Sequence, residues 1–151
     1  MTPSLHYREA STQALCGFQL LEEGLKTYIQ IYHNAVRAHL PPALIYKYAG
    51  ADVQEASLGK LVSVFSKTSA RDDLVKELRS LIKSRNELAH FSFREMLSAD
   101  ISQPHHLEKV AEFEDVTRRL IFMQLEIARE ILLILSNCNS NSVDPSPTPE
   151  A

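Results

Sequence analysis

Three side chains in the middle of the chain, Arg85, Asn86 and His90, are of types that could act together on a phosphate group. A guanidinium can grip phosphate oxygens through two donors. An imidazole titrates near neutral pH and can move a proton, and an amide can orient either group. Asn86 and His90 are four residues apart, so they share one face of a helix. The set is suited to phosphodiester chemistry that needs no metal.

The position of Arg85 in its helix is unusual for a charged residue. At about 100° per residue, the apolar stripe of this helix lies within roughly 60° of Arg85 on either side. The pattern therefore predicts that Arg85 is buried, and a buried guanidinium is normally paired or lines a cavity. Two interpretations stay open: an internal strut bonded to Glu22, beside the stripe of the first helix, or a cleft where Arg85 meets an anionic ligand.

Apolar residues spaced by three and four predict the helices that position these side chains. Ser4 and Ser69 are suitable N-caps for the first and third helices, and Pro41-Pro42 ends the first. The four main helices are predicted at 5–39, 57–67, 70–91 and 104–136. Between them we expect a short helical or irregular stretch at 45–48, broken at Gly50, and a loop at 92–103.

These elements predict an all-α fold, an antiparallel bundle of four to five helices. We expect one domain over 1–137 and a disordered tail over 138–151, because the tail is polar and rich in proline. The second half of the fourth helix is apolar on more than one face. Such a helix is either central in the bundle or buries a second face against another subunit.

Composition excludes several functional classes. The formal net charge of −3 is unlike that of a dedicated duplex-DNA binder. With four glycines and no glycine-rich phosphate loop, the common nucleotide cradles are absent. Cys16 and Cys138 belong to no CxxC pair, so we expect reduced thiols, with Cys16 packed in a helix, and no zinc site. The sequence shows neither a signal peptide nor a long uncharged apolar run, which predicts a soluble, cytoplasmic protein without a membrane partner.

Other residues that could bind a ligand have simpler interpretations. His105-His106 are expected to be solvated, because a metal site needs further ligands. His33 and His39 are expected at the surface or in packing, and the tyrosines of the first half in the core rather than stacked on bases. Five basic residues fit two interpretations equally well, a basic rim around the cleft or a solvated charged face. They are Arg79, Lys83, Arg94, Arg118 and Arg119.

The segment SRNELAHFSF, at 84–93, resembles the signature of the HEPN superfamily: an arginine, a polar residue, a short spacer and a histidine. Arg85, Asn86 and His90 fit this signature with four residues between arginine and histidine. The preceding ASLGKLVSVF, at 56–65, resembles the short helix often found before it. Ser92 departs from the pattern, because some HEPN toxins carry a tyrosine two residues after the histidine, and regulation through such a tyrosine is therefore in doubt.

The resemblance implies a helical bundle that dimerises with the two motifs facing a shared cleft, acting on RNA without a cofactor. It implies a metal-independent endoribonuclease of a toxin–antitoxin or defence system, which leaves a 2′,3′-cyclic phosphate. His90 would be the general acid and base, Arg85 would stabilise charge, and Asn86 would orient the pair. Glu22, Ser92 and Arg94 are expected to support the site.

The sequence is compatible with three functions. The first is an HEPN-type ribonuclease, acting as a homodimer and controlled by an antitoxin protein. The second is a non-catalytic HEPN-like module that binds a nucleotide, RNA or a partner protein in the same cleft. The third is a structural bundle in which Arg85 is a strut to Glu22.

Overall fold

The computed structural model describes residues 3–48, 50–97 and 103–140, which form five helices and, within those ranges, no strand. The all-α class predicted from the sequence is confirmed, whereas the HEPN-like arrangement stays a prediction. The helices are α1 (Pro3–His39), α2 (Ala51–Gln54), α3 (Leu58–Thr68), α4 (Asp72–Leu97) and α5 (Gln103–Ser140).

The two long helices, α1 and α5, pack together in parallel over most of their length. Contacts advance along both helices in the same direction, from His6 with Glu114 to Gly24 with Ile127. Between these points α1 comes so close to α5 that a Cβ atom at Gly17 would lie 2.9 Å from Leu120 Cδ1, so any larger residue there would force the Leu120 side chain to shift. The predicted antiparallel arrangement is therefore wrong for this pair.

Helix α4 runs opposite to its neighbours. A short turn joins it to α3, and ion pairs link Arg71, just before α4, to Glu126 near the end of α5, and Glu77 on α4 to Arg119 earlier on α5. The segment at 40–57 makes the parallel arrangement possible, because it returns alongside α1 before α3 begins. His33 on α1 stacks on Tyr48 of this segment, with ring centroids 3.8 Å apart.

The core lies where α1, α3, α4 and α5 meet. The predicted stripe of α1 is buried from Ala14 to Ile29, and α3 buries four apolar residues of its eleven. Tyr28 belongs to this core, and its hydroxyl donates to the carbonyl of Thr68 at 3.2 Å. Among the described residues, the fully buried large side chains are Leu21, Leu25, Ile29, Leu61, Val62, Phe65, Leu74, Leu78, Leu81, Leu120, Met123 and Ile127.

Several predicted boundaries are corrected. Residues 45–48 are not helical, and the short helix α2 instead follows Gly50. Helix α4 begins at Asp72 rather than directly after Ser69, whose hydroxyl accepts from the amide of Arg71. Because α4 continues to Leu97, the first six residues of the loop predicted at 92–103 are helical.

The ends of the longest helices also differ from the prediction. Helix α1 begins at Pro3, so Ser4 lies inside the helix rather than capping it. Helix α5 ends at Ser140, four residues beyond the predicted end, and this takes in the start of the predicted tail. The remaining tail, 141–151, lies outside the described residues. Helix α3 agrees with the prediction, and Ser57 caps it by accepting from the amide of Lys60.

Candidate functional site

Helices α4 and α5 are joined by side chains at two places and separated between them. At one place Arg119 donates from Nε to Glu77 Oε1 at 2.6 Å and from Nη2 to Ser80 Oγ at 2.8 Å. At the other, Lys109 Nζ lies 4.8 Å from the centroid of the Phe91 ring. Lys109 and Arg119 are ten residues apart, which corresponds to about 15 Å of helix. A groove of about 660 Å³ opens along this stretch.

The groove has an apolar floor and a polar rim. Leu88, Phe113 and Val116 are buried and form its floor. Cationic and anionic groups are balanced around it, with three of each. The lining cations are Lys83, Lys109 and Arg119, and the carboxylates are Glu87, Glu112 and Asp115. A groove of this size, apolar below and polar at its edge, matches the usual form of a small-ligand site.

Asn86 and His90 both line this groove, as their shared helix face predicts. Both side chains are exposed, and neither they nor Lys83 makes a hydrogen bond or ion pair with any other described residue. By contrast, Lys109 is engaged by Glu112 at 2.7 Å, and Arg119 by Glu77. The α4 wall therefore offers an imidazole, an amide and an ammonium group that are available to a ligand.

Arg85 lies elsewhere, which corrects the prediction that it is buried. It is exposed and does not line the groove. Arg85 does lie on the apolar stripe of α4, as the helical pattern predicts, but α3, the helix that covers this stripe, is too short to reach it. Eleven residues of α3 span about 16 Å, against about 39 Å for the 26 residues of α4, so α3 ends its cover near Ile82.

The proposed strut between Arg85 and Glu22 is also wrong. Both residues are described, and no hydrogen bond or ion pair joins them. Among the described residues, the buried carboxylate is instead Glu126 on α5, which accepts from Arg71 Nη2 at 3.1 Å and from Arg129 Nη1 at 3.3 Å. Arg71 also donates to Glu130 at 3.2 Å. The sequence signal for this network was a pair of glutamates four residues apart within an apolar helix.

The same arginine fixes the start of α4. Arg71 donates from Nε and Nη2 to the two carboxylate oxygens of Asp73, at 2.9 and 2.8 Å. These bonds lower the pKa of Asp73 to about 2, and the hydrogen bonds that Arg71 donates to Asp73 and then to Glu126 raise the pKa of Arg71 above its usual range. Arg71 therefore joins the α3–α4 turn to α5 at the end of the bundle far from the groove.

The remaining predicted site residues are divided between the groove and other places. Lys83 and Arg119 of the predicted basic rim line the groove, whereas Arg79 does not, and Arg118 pairs with Asp115 at 3.5 Å. Ser92 and Arg94 belong to the last turns of α4, and their side chains lie outside the described part of the structure.

Two histidines are placed by aromatic neighbours. His106, predicted to be solvated, is partly buried and stacks on Tyr7 at 5.1 Å between ring centroids, which corrects that prediction. His33 packs in the predicted manner, hydrogen-bonded to Tyr46 and stacked on Tyr48. Burial, and next the charge of Arg37, lower the pKa of His33.

The remaining sequence candidates are the cysteines and any metal site. Both thiols are unbridged, and Cys16 is exposed rather than packed. Among the described residues, no group of three His, Cys, Asp or Glu side chains is arranged to hold a metal ion. Within the same ranges, none of the helices combines the length and apolar character needed to span a membrane.

Comparison with family models, curated proteins and solved structures finds no match to this chain.

Proposed function

We propose that this protein is a metal-independent endoribonuclease of the HEPN type that binds and cleaves RNA in the α4–α5 groove. The observation that supports this most is the place of His90, exposed on the groove wall one turn after Asn86 and without a partner among the described residues. A general base must lie within hydrogen-bonding distance of the substrate proton that it removes. It must also have a nitrogen or oxygen that is free to accept this proton. His90 meets the second condition.

The chemistry assigned to the groove is transesterification. His90 accepts the proton of a ribose 2′-hydroxyl as its oxygen bonds to the adjacent phosphorus. The bond from phosphorus to the 5′-oxygen breaks, and that oxygen takes a proton from water or from the imidazolium. The products are a 2′,3′-cyclic phosphate and a 5′-hydroxyl end. Asn86 orients the phosphate beside the imidazole.

The cation that stabilises the phosphate differs from the one implied by the sequence resemblance. Lys83 lines the groove and is unpaired, whereas Arg85 lies off the groove in the single chain. Lys83 is therefore proposed as the main cation that neutralises the charge of the phosphate, and Arg119 at the end of the groove as the second. In the HEPN setting such an enzyme acts as a toxin or defence factor, and an antitoxin protein would act by covering this groove.

A second function, binding without cleavage, is favoured by two observations. Arg85 is outside the groove, and the charges around the groove are balanced rather than positive. A long RNA strand requires a positive track, whereas one nucleotide needs a single cation and a stacking surface. Lys83 supplies the cation for a nucleotide, and the ring of Phe91, with Lys109 over one face, lines the groove as the aromatic surface.

Cleavage of a labelled RNA in the presence of EDTA tests the proposal. The parent protein is expected to produce cyclic-phosphate ends, identified by mass spectrometry, and to leave a DNA of the same sequence intact. His90→Ala is expected to lose about 100-fold or more of the rate, the usual contribution of a positioned acid or base. His39→Ala, an exposed histidine on α1, is the matched control and should keep full activity.

Two results would decide against cleavage. Equal rates for His90→Ala and the parent would remove His90 from the reaction. Tight nucleotide binding measured by fluorescence anisotropy, weakened by Lys83→Ala and accompanied by no turnover, would establish the second function instead.

A further inference from the structure

Helix α5 carries an exposed apolar stripe that no described part of the chain covers. Its members follow each other at spacings of four, three, four and three, the repeat of a coiled-coil seam. The α5 stripe consists of Ile121, Leu125, Ala128, Leu132 and Leu135. All five are exposed, and the four large ones are between 44 and 63% exposed. Seam spacing on a solvent face indicates that another helix packs there.

The order of large and small side chains along the α5 stripe is the same from either end of the stripe. Two large residues precede Ala128 and two follow it, at nearly equal distances. A sequence of this kind is self-complementary when a second copy lies antiparallel with a two-fold axis at the small residue. Leu125 would then face the partner's Leu132, and Ile121 the partner's Leu135.

A hollow beside Ala128 fits a side chain from such a partner. It has a volume of about 220 Å³ and is lined almost wholly by apolar atoms of α1 and α5, including Leu20, Gly24, Ala128 and Ile131. Seam packing places one large side chain into a hole formed by several residues of the opposite helix. Leucines of the partner next to the two-fold axis are in position to fill this hole.

The α5 stripe lies on the opposite side of α5 from the groove. At about 100° per residue, the centre of the stripe lies roughly 150° from the groove residues Glu112, Asp115 and Arg119. The two surfaces also occupy different segments of α5, since residues 109–119 line the groove and the stripe extends over 121–135. A partner on the stripe therefore does not reach the groove of the first chain.

We propose that a second copy of this chain docks antiparallel on the α5 stripe, with the two-fold axis at Ala128, and that the two grooves open away from each other. This differs from the shared cleft implied by the sequence resemblance, because each groove would then be complete within one chain. The interface does not depend on the proposed ribonuclease function.

The exposed apolar area supplies a large part of this interface. A standard interface buries about 800 Å² per partner, of which a little over half, about 450 Å², is apolar. The stripe and the adjacent Leu20 of α1 contain five large apolar side chains that are 44 to 63% exposed. Because complete burial of such a side chain removes about 60–120 Å² of apolar surface from water, they supply on the order of 250 Å².

The charges at the end of the stripe favour the antiparallel orientation. Arg118 follows the same seam spacing one step before Ile121 and is 73% exposed. In a parallel, in-register pair the two copies of Arg118 would face each other and repel. In the antiparallel pair they lie twenty residues apart, about 30 Å along the helices.

Sedimentation velocity and light scattering test the interface. The parent is expected to be a dimer, and Leu125→Glu and Leu132→Glu are expected to be folded monomers by circular dichroism. Leu107→Glu is the matched control: Leu107 is 65% exposed on the same helix, but lies beyond the reach of the partner helix. A parent that stays monomeric at high micromolar concentration, or a dimer that survives both stripe variants, would overturn the proposal.

Disulfide trapping tests the position of the axis. In a chain with Cys16 and Cys138 replaced by serine, Ala128→Cys is expected to give a crosslinked dimer under mild oxidation. Lys83→Cys, on the groove, is expected to give none. Crosslinking through Lys83→Cys and not through Ala128→Cys would show that the copies meet at their grooves and would contradict the inference.

Discussion

The two halves of α4 share one helical pattern but differ in their surroundings. The first half, up to Ile82, is covered by α3 and bonded to α5 through Glu77 and Ser80. The second half presents Lys83, Asn86 and His90 to a groove without bonding them to any described residue. Arg85 is therefore exposed although the pattern of its helix turns it inward, because α3 does not extend over it, whereas Leu88 in the same half stays buried.

The largest expected effect is on the covered half. Leu81 is completely buried, so Leu81→Ala removes packed side-chain atoms and leaves a cavity. The free energy of unfolding is expected to fall by about 2–5 kcal/mol in urea denaturation. A loss below about 1 kcal/mol would mean that α3 does not cover this part of α4 as described.

An intermediate effect is expected at the boundary of the two halves. Arg119→Ala removes the bonds to Glu77 and Ser80, and because this pair is partly buried we expect a loss of about 1 kcal/mol. The adjacent Arg118→Ala is the control, since Arg118 is 73% exposed and 3.5 Å from Asp115. Equal midpoints of urea unfolding for the two variants would refute a bridging role for Arg119.

A pH effect is expected at the start of α4. The bonds from Arg71 lower the pKa of Asp73 from 3.8 to about 2, so Asp73 stabilises the folded protein above about pH 4. This stabilisation is lost as the pH falls from 4 towards 2. Melting temperatures measured across this range should decline less steeply for Arg71→Gln than for the parent, and Arg79→Gln should follow the parent. Parallel curves for all three proteins would exclude the Arg71–Asp73 contribution.

The smallest stability effect is expected one turn beyond Leu81. Arg85 is exposed and unpaired among the described residues, so Arg85→Ala should change the free energy of unfolding by no more than about 0.5 kcal/mol. A large loss in urea denaturation would restore the buried position that the helical pattern predicts. The comparison of Leu81→Ala with Arg85→Ala is therefore the sharpest test of where the cover by α3 ends.

Much of the fold follows from the sequence. The period of the apolar residues predicted four of the five helices, and the stripe from Ala14 to Ile29 is buried as expected. The direction of α1 against α5 could not be predicted, because it depends on how the segment at 40–57 returns along α1. Its aromatic contacts with His33 join residues whose pairing no local pattern indicates.

The candidate site was predicted in part. The spacing of Asn86 and His90 places them on one groove, because four residues make about one helical turn. The burial of Arg85 was wrong because a wheel describes one helix and not the length of its neighbour. The partners of Arg71 on α5 lie 55 and 59 residues away in the chain, so their association depends on the tertiary fold.

The proposed function requires that the groove between α4 and α5 contacts RNA through His90. The most direct measurement is NMR titration with an RNA oligonucleotide methylated at its 2′-oxygens so that it cannot be cleaved. We expect chemical-shift changes in the His90 imidazole and in the amides of 83–91 and 109–119, with His39 and the amides of 72–82 unchanged. An unshifted His90, with perturbation only on the α5 stripe or nowhere, would contradict the proposed function.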